Sequence, residues 1–191
     1  QTCALPISDA NAESVGAVNT VVNADGKLKG YNTDVDGVEA AFENAGFGMK
    51  GKRILIMGSG GASRAGIVAS LNNGAEVFLT GRNKEAVERL SSRFGTGIVN
   101  GDSLSDYDAI VNATPIGMYG DGEYPINLNN LTENHTVFDM VYGTETLLVS
   151  KARDLGCRIA TGEDMLAMQG SRAFELWTGA GGMFDVMRSC L

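Results

Sequence analysis

The sequence predicts an α/β protein built on a doubly wound parallel sheet, and three observations lead to that prediction. Short apolar or β-branched runs alternate with helical patterns of about a dozen residues, as in chains of β–α–β units. One run, residues 54–57, is apolar throughout, as expected of a parallel strand covered on both faces. It leads directly into a glycine-rich turn. From residue 162 onward the periodicity is helical only, which predicts C-terminal helices.

Composition and charge narrow the classes of function. The chain has 191 residues, 43% hydrophobic and 20% charged, an ordinary balance for a globular protein. A net charge of −8 without a block of Lys and Arg argues against a nucleic-acid surface. Three cysteines without ligand-like spacing predict a reducing compartment and no metal site. No apolar run reaches membrane-spanning length and no leader pattern is present, so we expect a cytoplasmic protein without a membrane partner.

The first elements are a hairpin preceded by an unusual start. The chain opens on Gln1 rather than Met, and residues 1–8 fit poorly with the residues after them. We therefore expect a fragment and leave open whether residues 1–8 are native. Residues 16–23 are strand-like, and Asp25-Gly26 is a strong hairpin signal, with residues 27–30 as the returning strand.

A helix comes after the hairpin. Thr33 or Asp34 can cap it, and Gly46 ends it. Its apolar positions have helical spacing: Val35, Val38, Phe42 and Ala45. The carboxylates of Asp34 and Asp36 also have a simpler explanation, as favourable charges in the first turn of a helix.

The glycine turn is the centre of the predicted nucleotide-binding unit. Residues 58–62 read Gly58, Ser59, Gly60, Gly61 and Ala62. The helix after them, to about residue 73, is expected to pack on the sheet through Ile67, Val68 and Leu71. Strand, glycine turn and helix N-terminus together suit a dinucleotide pyrophosphate and predict a Rossmann-like domain. The third glycine of the usual pattern is Ser63 here. The alternative is a tight structural turn in a flavodoxin-like domain.

The next strand carries the signal for cofactor choice. Residues 76–80 are strand-like and end at Gly81, Arg82, Asn83 and Lys84. NAD-specific sites usually place a carboxylate there for the ribose 2′-hydroxyl, whereas a guanidinium suits a 2′-phosphate. NADP is therefore favoured over NAD. The alternative is that Arg82 and Lys84 only decorate a solvated helix start capped by Asn83.

The remaining elements continue the alternation. Strands are predicted at 98–99, 108–112, 136–140 and 158–160, and helices at 85–94, 144–155, 163–178 and 183–190. Asn112 and Thr114 lie at a strand end that should face the ligand crevice. His135, the only histidine, lies in a polar loop, so a histidine-based catalytic scheme is not expected.

Several of these segments together resemble the shikimate dehydrogenase family, with its quinate/shikimate relatives. The motifs occur in the family's order from about residue 16 to the end: Gly16-Ala17-Val18-Asn19-Thr20, Asn32-Thr33-Asp34 with Gly37, residues 58–65, residues 112–118, Asp139-Met140-Val141-Tyr142 and residues 162–169. Each motif is weak alone, but six in sequence are highly specific.

The resemblance implies NADP-dependent, reversible reduction of 3-dehydroshikimate to shikimate. It implies that Asn19, Asp34 and Gln169 bind the substrate hydroxyls, with Asp34 catalytic and Tyr142 beside the substrate. It assigns the pyrophosphate to residues 58–62 and the 2′-phosphate to Arg82, with Asn83 and Lys84 nearby. The residues implied on the nicotinamide side are Asn112, Thr114, Met140 and Gly162. The implied division is a remnant of an N-terminal α/β substrate domain (1–34), an NADP-binding domain (35–162) and C-terminal helices packing back on the substrate domain (163–191).

The chain departs from the family in one respect. The family carries a Lys for acid–base catalysis about twenty residues before the Gly-Ala-Val-Asn motif. Here fifteen residues precede Gly16 and none of them is Lys. Because such catalysis is worth about 10²–10⁴-fold, we expect poor turnover by this chain. The alternatives are a non-catalytic NADP-binding or regulatory module, and a dehydrogenase for another small hydroxy acid such as quinate.

Overall fold

Within residues 7–99, 103–120 and 122–191, which the computed structural model describes, the chain forms two sheets and seven α-helices. In chain order the elements are β1 (Ile7–Ser8), α1 (Ala10–Val15), β2 (Thr20–Ala24), β3 (Lys27–Tyr31), α2 (Asp34–Asn44), β4 (Arg53–Met57), α3 (Gly61–Asn72), β5 (Glu76–Thr80), α4 (Lys84–Phe94), β6 (Gly97–Ile98), β7 (Ala109–Asn112), a 3₁₀ turn (Leu128–Asn130), β8 (Thr136–Asp139), α5 (Leu147–Asp154), β9 (Arg158–Thr161), α6 (Gly162–Thr178) and α7 (Phe184–Arg188). None of these helices is long and apolar enough to cross a membrane.

The larger sheet has six parallel strands in the order β6-β5-β4-β7-β8-β9. Counted from β4, this is the order 3-2-1-4-5-6 of a doubly wound dinucleotide-binding sheet. The order reverses beside β4, where ligands bind such sheets, at the carboxyl ends of the strands. The predicted Rossmann-like fold is confirmed.

The apolar run of β4 is covered on both faces, as predicted. Ile54 and Ile56 point into a core with α2 and α3, where Phe42 and Ile67 are buried. Leu55 and Met57 point to the other face, into a core with Leu148 of α5. Because strand side chains alternate, one four-residue run supplies both cores.

The smaller sheet has the order β1-β3-β2. β2 and β3 form the predicted hairpin, and Asp25 and Gly26 both have positive φ (53° and 79°), as a two-residue type I′ turn requires. At the other end of the chain, the indole Nε1 of Trp177 in α6 donates to the carbonyl of Val21, 3.0 Å away. The last turns of α6 therefore pack against this sheet.

Several predicted boundaries are wrong. Residues 16–19 are not a strand, because α1 ends at Gly16 in the left-handed conformation (φ 69°) and β2 begins only at Thr20. The helix predicted from residue 144 begins at Leu147, where Thr146 caps it. Leu71 is 37% exposed, because it lies in the last turn of α3, whose end at residues 71–74 is exposed. Residues 1–6, most of the segment of uncertain origin, lie outside the described residues.

Candidate functional site

The glycine turn after β4 needs glycine at its first position for steric reasons. Gly58 has φ +121°, and a Cβ on it would lie 2.7 Å from the carbonyl oxygen of Ala113 and 2.8 Å from Oγ of Ser63. Gly60 and Gly61 differ, because a Cβ on either would meet no described atom within 4 Å. Gly58 therefore lets the turn pack on the sheet, whereas Gly60 and Gly61 present an open backbone.

This open backbone is also the N-terminus of α3. Gly60 is the N-cap and has no side chain to accept hydrogen bonds from the first turn. The first N–H groups of a helix have no partner within it, and together with the helix dipole they favour an anion. Gly61 and Ala62 form this first turn, and Ser63 is fully buried against Gly58. The turn therefore has the geometry that a pyrophosphate requires.

Two cavities open at this edge of the sheet and share a wall formed by Gly81, Arg82 and Pro125. The first, about 510 Å³, is lined by Gly58, Ser59, Gly60, Gly81, Arg82, Asn83, Ala113, Thr114, Pro115, Ile116 and Pro125. The second, about 470 Å³, is lined by Thr80, Gly81, Arg82, Lys84, Val87, Glu88, Ile98, Val99, Glu123, Tyr124 and Pro125. Together they extend from the glycine turn past the carboxyl end of β5 to the end of β6.

Arg82 is exposed on the shared wall, and no ion pair of the described residues uses it or Lys84. The guanidinium is therefore available to an anion in either cavity. Asn83 is different, because its side chain accepts from the N–H of Ala86 (3.0 Å) and caps α4. That oxygen has the capping role proposed in the alternative interpretation. Glu88 and Glu123 also line the second cavity, and sequence reasoning missed both.

A buried hydrogen-bond network orders the strand ends on the other side of the turn. Asn112 donates to Oδ1 of Asp139 (2.9 Å) and to the carbonyl of Ile116 (3.2 Å). Its oxygen accepts from the N–H and the hydroxyl of Thr114. Asn112 is fully buried and its amide is used within the protein, so its part in the site is to hold Thr114 at the cavity wall. Direct contact of Asn112 with a cofactor stays a prediction.

Asp139 is the acceptor at the centre of this network. Besides Asn112 it accepts from the N–H of Val141 (3.0 Å) and the hydroxyl of Thr146 (2.6 Å). Burial raises the pKa of Asp139, and the hydrogen bonds of Thr146, Val141 and Asn112 counteract that shift. Asp139 therefore ties β7, the loop after β8 and the start of α5 together.

We expect Asp139→Asn to lower the free energy of unfolding by about 2–4 kcal/mol, because its amide would place a donor among three donors in a buried site. Urea unfolding measures the change. Thr146→Ser is the matched control, since it keeps the hydroxyl that donates to Asp139 and caps α5, and should cost only about 1 kcal/mol for the lost methyl group. Equal effects of the two substitutions would contradict this role of Asp139.

The predicted substrate-binding residues Asn19 and Asp34 are in direct contact. The amide of Asn19 donates to Oδ1 of Asp34 (3.0 Å), and its oxygen accepts from the N–H of Thr33 (3.0 Å). Asn32 is buried, accepts from the N–H of Asp34 and donates to the carbonyl of Ala17. The loop before β2 and the start of α2 are thereby held as one unit with a carboxylate at its edge.

Asp34 is half-buried in the first turn of α2. Burial raises the pKa of Asp34 above its ordinary value, and the hydrogen bond from Asn19 partly counteracts that shift. Thr33 occupies the N-cap position without a capping side-chain bond. Asp34 is the first residue of α2. Its Oδ1 accepts from Asn19, and neither of its carboxylate oxygens accepts a capping bond from the described residues of the helix.

Gln169 lies on α6 where this helix crosses the start of α2. A Cβ on Gly37 would lie 2.6 Å from the carbonyl oxygen of Met165, and Arg172 is 3.8 Å from Asp36. Residue 169 shares the helix face of 165 and 172. Gln169 therefore lies on the face of α6 that packs against the first turn of α2, while its contact with a substrate stays a prediction.

The segment after β8 completes this edge. A Cβ on Gly162 would lie 2.6 Å from the carbonyl oxygens of both Met140 and Val141, so the start of α6 packs directly on this segment. Met140 is half-buried, and Tyr142 is 47% exposed. The structure brings these residues to the same strand ends as Thr114, while their contact with a ligand stays a prediction.

His135 lies away from this edge, before β8. Its Nδ1 accepts from the N–H of Thr132 (2.9 Å), and its Nε2 lies 3.0 Å from the carbonyl of Leu104. Both ring nitrogens are thus used within the protein. No group of three or more His, Cys, Asp or Glu is placed to hold a metal ion in the described part of the chain.

Known proteins resemble this chain in both sequence and fold. A scan against protein-family models finds no match. The shikimate dehydrogenase (NADP(+)) of Aquifex aeolicus (strain VF5) is 38% identical over 170 residues, which cover 88% of this chain and 63% of that protein. The shikimate dehydrogenase (NADP(+)) of Desulforamulus reducens is 38% identical over 200 residues, covering 94% of this chain and 68% of that protein.

A solved structure agrees with these relatives. Shikimate 5-dehydrogenase from Thermus thermophilus, in complex with NADP(H) and shikimate, matches with a TM-score of 0.89 at 33% identity, over 97% of this chain and 71% of that one. The chain spans 63% of the length of the Aquifex relative and 68% of the Desulforamulus one. Sequence, fold and the open glycine turn lead to one conclusion: the chain belongs to the shikimate dehydrogenase family.

Proposed function

We propose that this chain binds NADP and serves the reversible reduction of 3-dehydroshikimate to shikimate. The observation that carries the proposal is an open glycine turn beside Arg82, which lies on the wall of the adjoining cavities and forms no ion pair with the described residues. The names of its relatives support it: two are NADP(+) enzymes, and the Thermus protein was crystallised with NADP(H) and shikimate.

The cofactor is assigned along the two cavities. Residues 58–62 would hold the pyrophosphate on the start of α3, and Arg82 with Lys84 would pair with the 2′-phosphate. Thr114, Met140 and Gly162, with Asn112 behind them, would border the nicotinamide, which supplies the hydride chemistry when bound. The protein's part is to position the cofactor and the substrate.

The substrate is assigned to the edge formed by α2, α6 and the segment after β8. A polyhydroxylated ring needs carboxylate and amide partners, which Asp34, Asn19 and Gln169 offer, with Tyr142 alongside. We propose Asp34 as the catalytic carboxylate among them, and we propose the division into residues 1–34, 35–162 and 163–191. The bond from Trp177 to Val21 supports the return of the C-terminal helices to the substrate domain. A cytoplasmic location stays a prediction.

The first experiment is a titration of this chain with NADPH and separately with NADH, followed by cofactor fluorescence, and then addition of shikimate or quinate to the NADP⁺ complex. We expect tight NADPH binding, weaker NADH binding and a preference for shikimate. Binding of neither cofactor would overturn the proposal. Cofactor binding without binding of either acid would favour a non-catalytic module.

Substitutions of Gly60 and Gly58 should have different effects on NADPH affinity and on the free energy of unfolding. Gly60→Ala should leave the free energy of unfolding within about 1 kcal/mol, because residue 60 has φ −90° and open space around it. It should weaken NADPH binding about tenfold or more, because the methyl group stands where the pyrophosphate approaches. Urea unfolding and fluorescence titration measure the two effects.

Gly58→Ala is the contrasting variant. It should cost about 2 kcal/mol or more of unfolding free energy, because it combines a strained φ with contacts of 2.7 and 2.8 Å. A Gly60→Ala protein with unchanged NADPH affinity would show that the turn does not hold the pyrophosphate.

A further inference from the structure

Two arginines of the nucleotide-binding unit reach across to the end of α1. Nη1 of Arg64, in the first turn of α3, lies 3.4 Å from the carbonyl oxygens of both Val15 and Gly16. Nη2 of Arg93, in the last turn of α4, lies 3.0 Å from the carbonyl oxygen of Ser14. Three consecutive carbonyls at one helix end are therefore bonded to guanidinium groups that come from other elements.

The carbonyl groups at the C-terminal end of α1 require hydrogen-bond donors from outside the helix. The last carbonyls of a helix have no partner within it and form the negative end of the helix dipole. α1 has no basic residue in its own last turn. The fit is also steric, because a Cβ on Gly16 would lie 2.5 Å and 2.9 Å from the two terminal nitrogens of Arg93. Glycine at this position thus leaves room for the guanidinium beside the backbone.

The segment held in this way leads directly to Asn19. Only Ala17 and Val18 separate Gly16 from Asn19. Ala17 is fixed to the carbonyl of Ala12 (3.2 Å), and Asn19 to the carbonyl of Tyr31 (3.0 Å). The amide of Asn19 then bonds Asp34. An unbroken chain of contacts therefore joins the two arginines to the proposed catalytic carboxylate.

Arg64 and Arg93 belong to the two helices that follow the proposed phosphate-binding turns. α3 begins at the glycine turn and α4 begins at the Arg82 turn, so each helix starts at the proposed cofactor site and extends one arginine to α1. We propose that Arg64 and Arg93 are positioning residues, which fix the Asn19–Asp34 pair relative to the two phosphate-binding turns. The part of this inference that concerns substrate rests on the proposed function.

The test uses Arg93→Met, because Arg93 lies at the far end of α4 from Arg82. Hydrogen exchange in the ligand-free chain should be about tenfold faster at the amides of Gly16, Ala17 and Asn19, while amides within α4 keep their rates. Arg93→Lys should restore part of the protection, since an ammonium can still reach the carbonyl of Ser14. Arg89→Met is the matched control, because Arg89 is exposed on α4 and its one ion pair among the described residues is with Glu85 in the same helix.

The consequence for binding is measured separately. Calorimetric titration of Arg93→Met should show shikimate affinity about fivefold to tenfold weaker in the NADP⁺ complex, with NADP⁺ affinity within about twofold of the parent chain. If the double variant Arg64→Met/Arg93→Met keeps parent exchange rates at Ala17 and Asn19, the inference is overturned. If exchange changes as expected but the parent chain binds no shikimate, the positioning role holds and the proposed function fails.

Discussion

Arg82→Met is expected to weaken NADPH binding by about 10–100-fold while leaving NADH binding within about twofold of the parent chain. The guanidinium is exposed on the wall shared by both cavities and forms no ion pair with the described residues. A 2′-phosphate would therefore gain a charge-assisted bond that NADH cannot form. Methionine keeps the apolar stem, so the loss reports the charge. Fluorescence titration with both cofactors measures the two affinities.

NADH serves as an internal control for this prediction, because it tests the glycine turn without the 2′-phosphate. A second control is Lys84→Met, which removes a cation of the same cavity that lies at the first position of α4. We expect a smaller loss, because an ammonium offers a point charge and no fixed fork of donors. Equal weakening of NADPH and NADH by Arg82→Met would contradict a 2′-phosphate contact.

The parts of the fold that could be predicted are those dictated by local sequence. The run from Ile54 to Met57 has no polar position, which is typical of a parallel strand covered on both faces, and the structure places it in the middle of the sheet. Asp25-Gly26 specified the hairpin because few residues accept positive φ. Gly58 was predicted as the first residue of the glycine turn because it lies between a strand and a helix, and its φ of +121° is also one that few residues accept.

The parts that could not be predicted depend on contacts between distant residues. Asp139 lies 27 positions from Asn112, and its role as a shared acceptor needs β7 and β8 to be neighbours. Arg93 lies 79 positions from Ser14. Neither pair has a spacing signal in the sequence. Residues at strand ends were the best available clue, and that clue selected Asn112 and Thr114, whereas the motif that contains Asp139 was selected by the family resemblance.

Helix boundaries were missed for a related reason. The periodicity of residues 144–155 suits a helix throughout, but Thr146 is used twice, as the N-cap of α5 and as a donor to Asp139. These two bonds fix its backbone in an extended conformation (φ −82°, ψ 161°) and delay the helix to Leu147. A tertiary contact therefore decides a boundary that local pattern leaves open.

Asp34→Asn is expected to weaken shikimate binding to the NADP⁺ complex by about 10–100-fold, because a carboxylate accepts from a hydroxyl much more strongly than an amide does. NADP⁺ affinity should stay within about twofold of the parent value, since Asp34 does not line either cavity of the cofactor site. Calorimetric titration measures both affinities. Asp36→Asn is the matched control, as Asp36 is in the same helical turn but pairs with Arg172.

The fold should survive this substitution. Burial raises the pKa of Asp34, so ionising it costs folding free energy. The protonated form of Asp34 therefore favours the folded state relative to the ionised form. This contribution to the free energy of unfolding is complete below the unfolded-state pKa and is lost as the pH rises through the raised folded-state pKa. Near neutral pH the ionised carboxylate of Asp34 therefore lowers the free energy of unfolding, and Asp34→Asn, which removes this charge, should not lower it further. A large loss of stability would make the binding defect a folding defect.

The pH dependence of shikimate binding gives the last prediction, and Asn19 sets its sign. If the ionised carboxylate binds the substrate, affinity falls as the pH drops through the raised pKa of Asp34. The bond from Asn19 holds that pKa down, so Asn19→Ala should move the acid limb of the affinity profile to higher pH. Titrations across the acid range compare the two limbs. A limb that stays in place or moves to lower pH would contradict this role of Asn19, because its hydrogen bond favours the ionised form of Asp34.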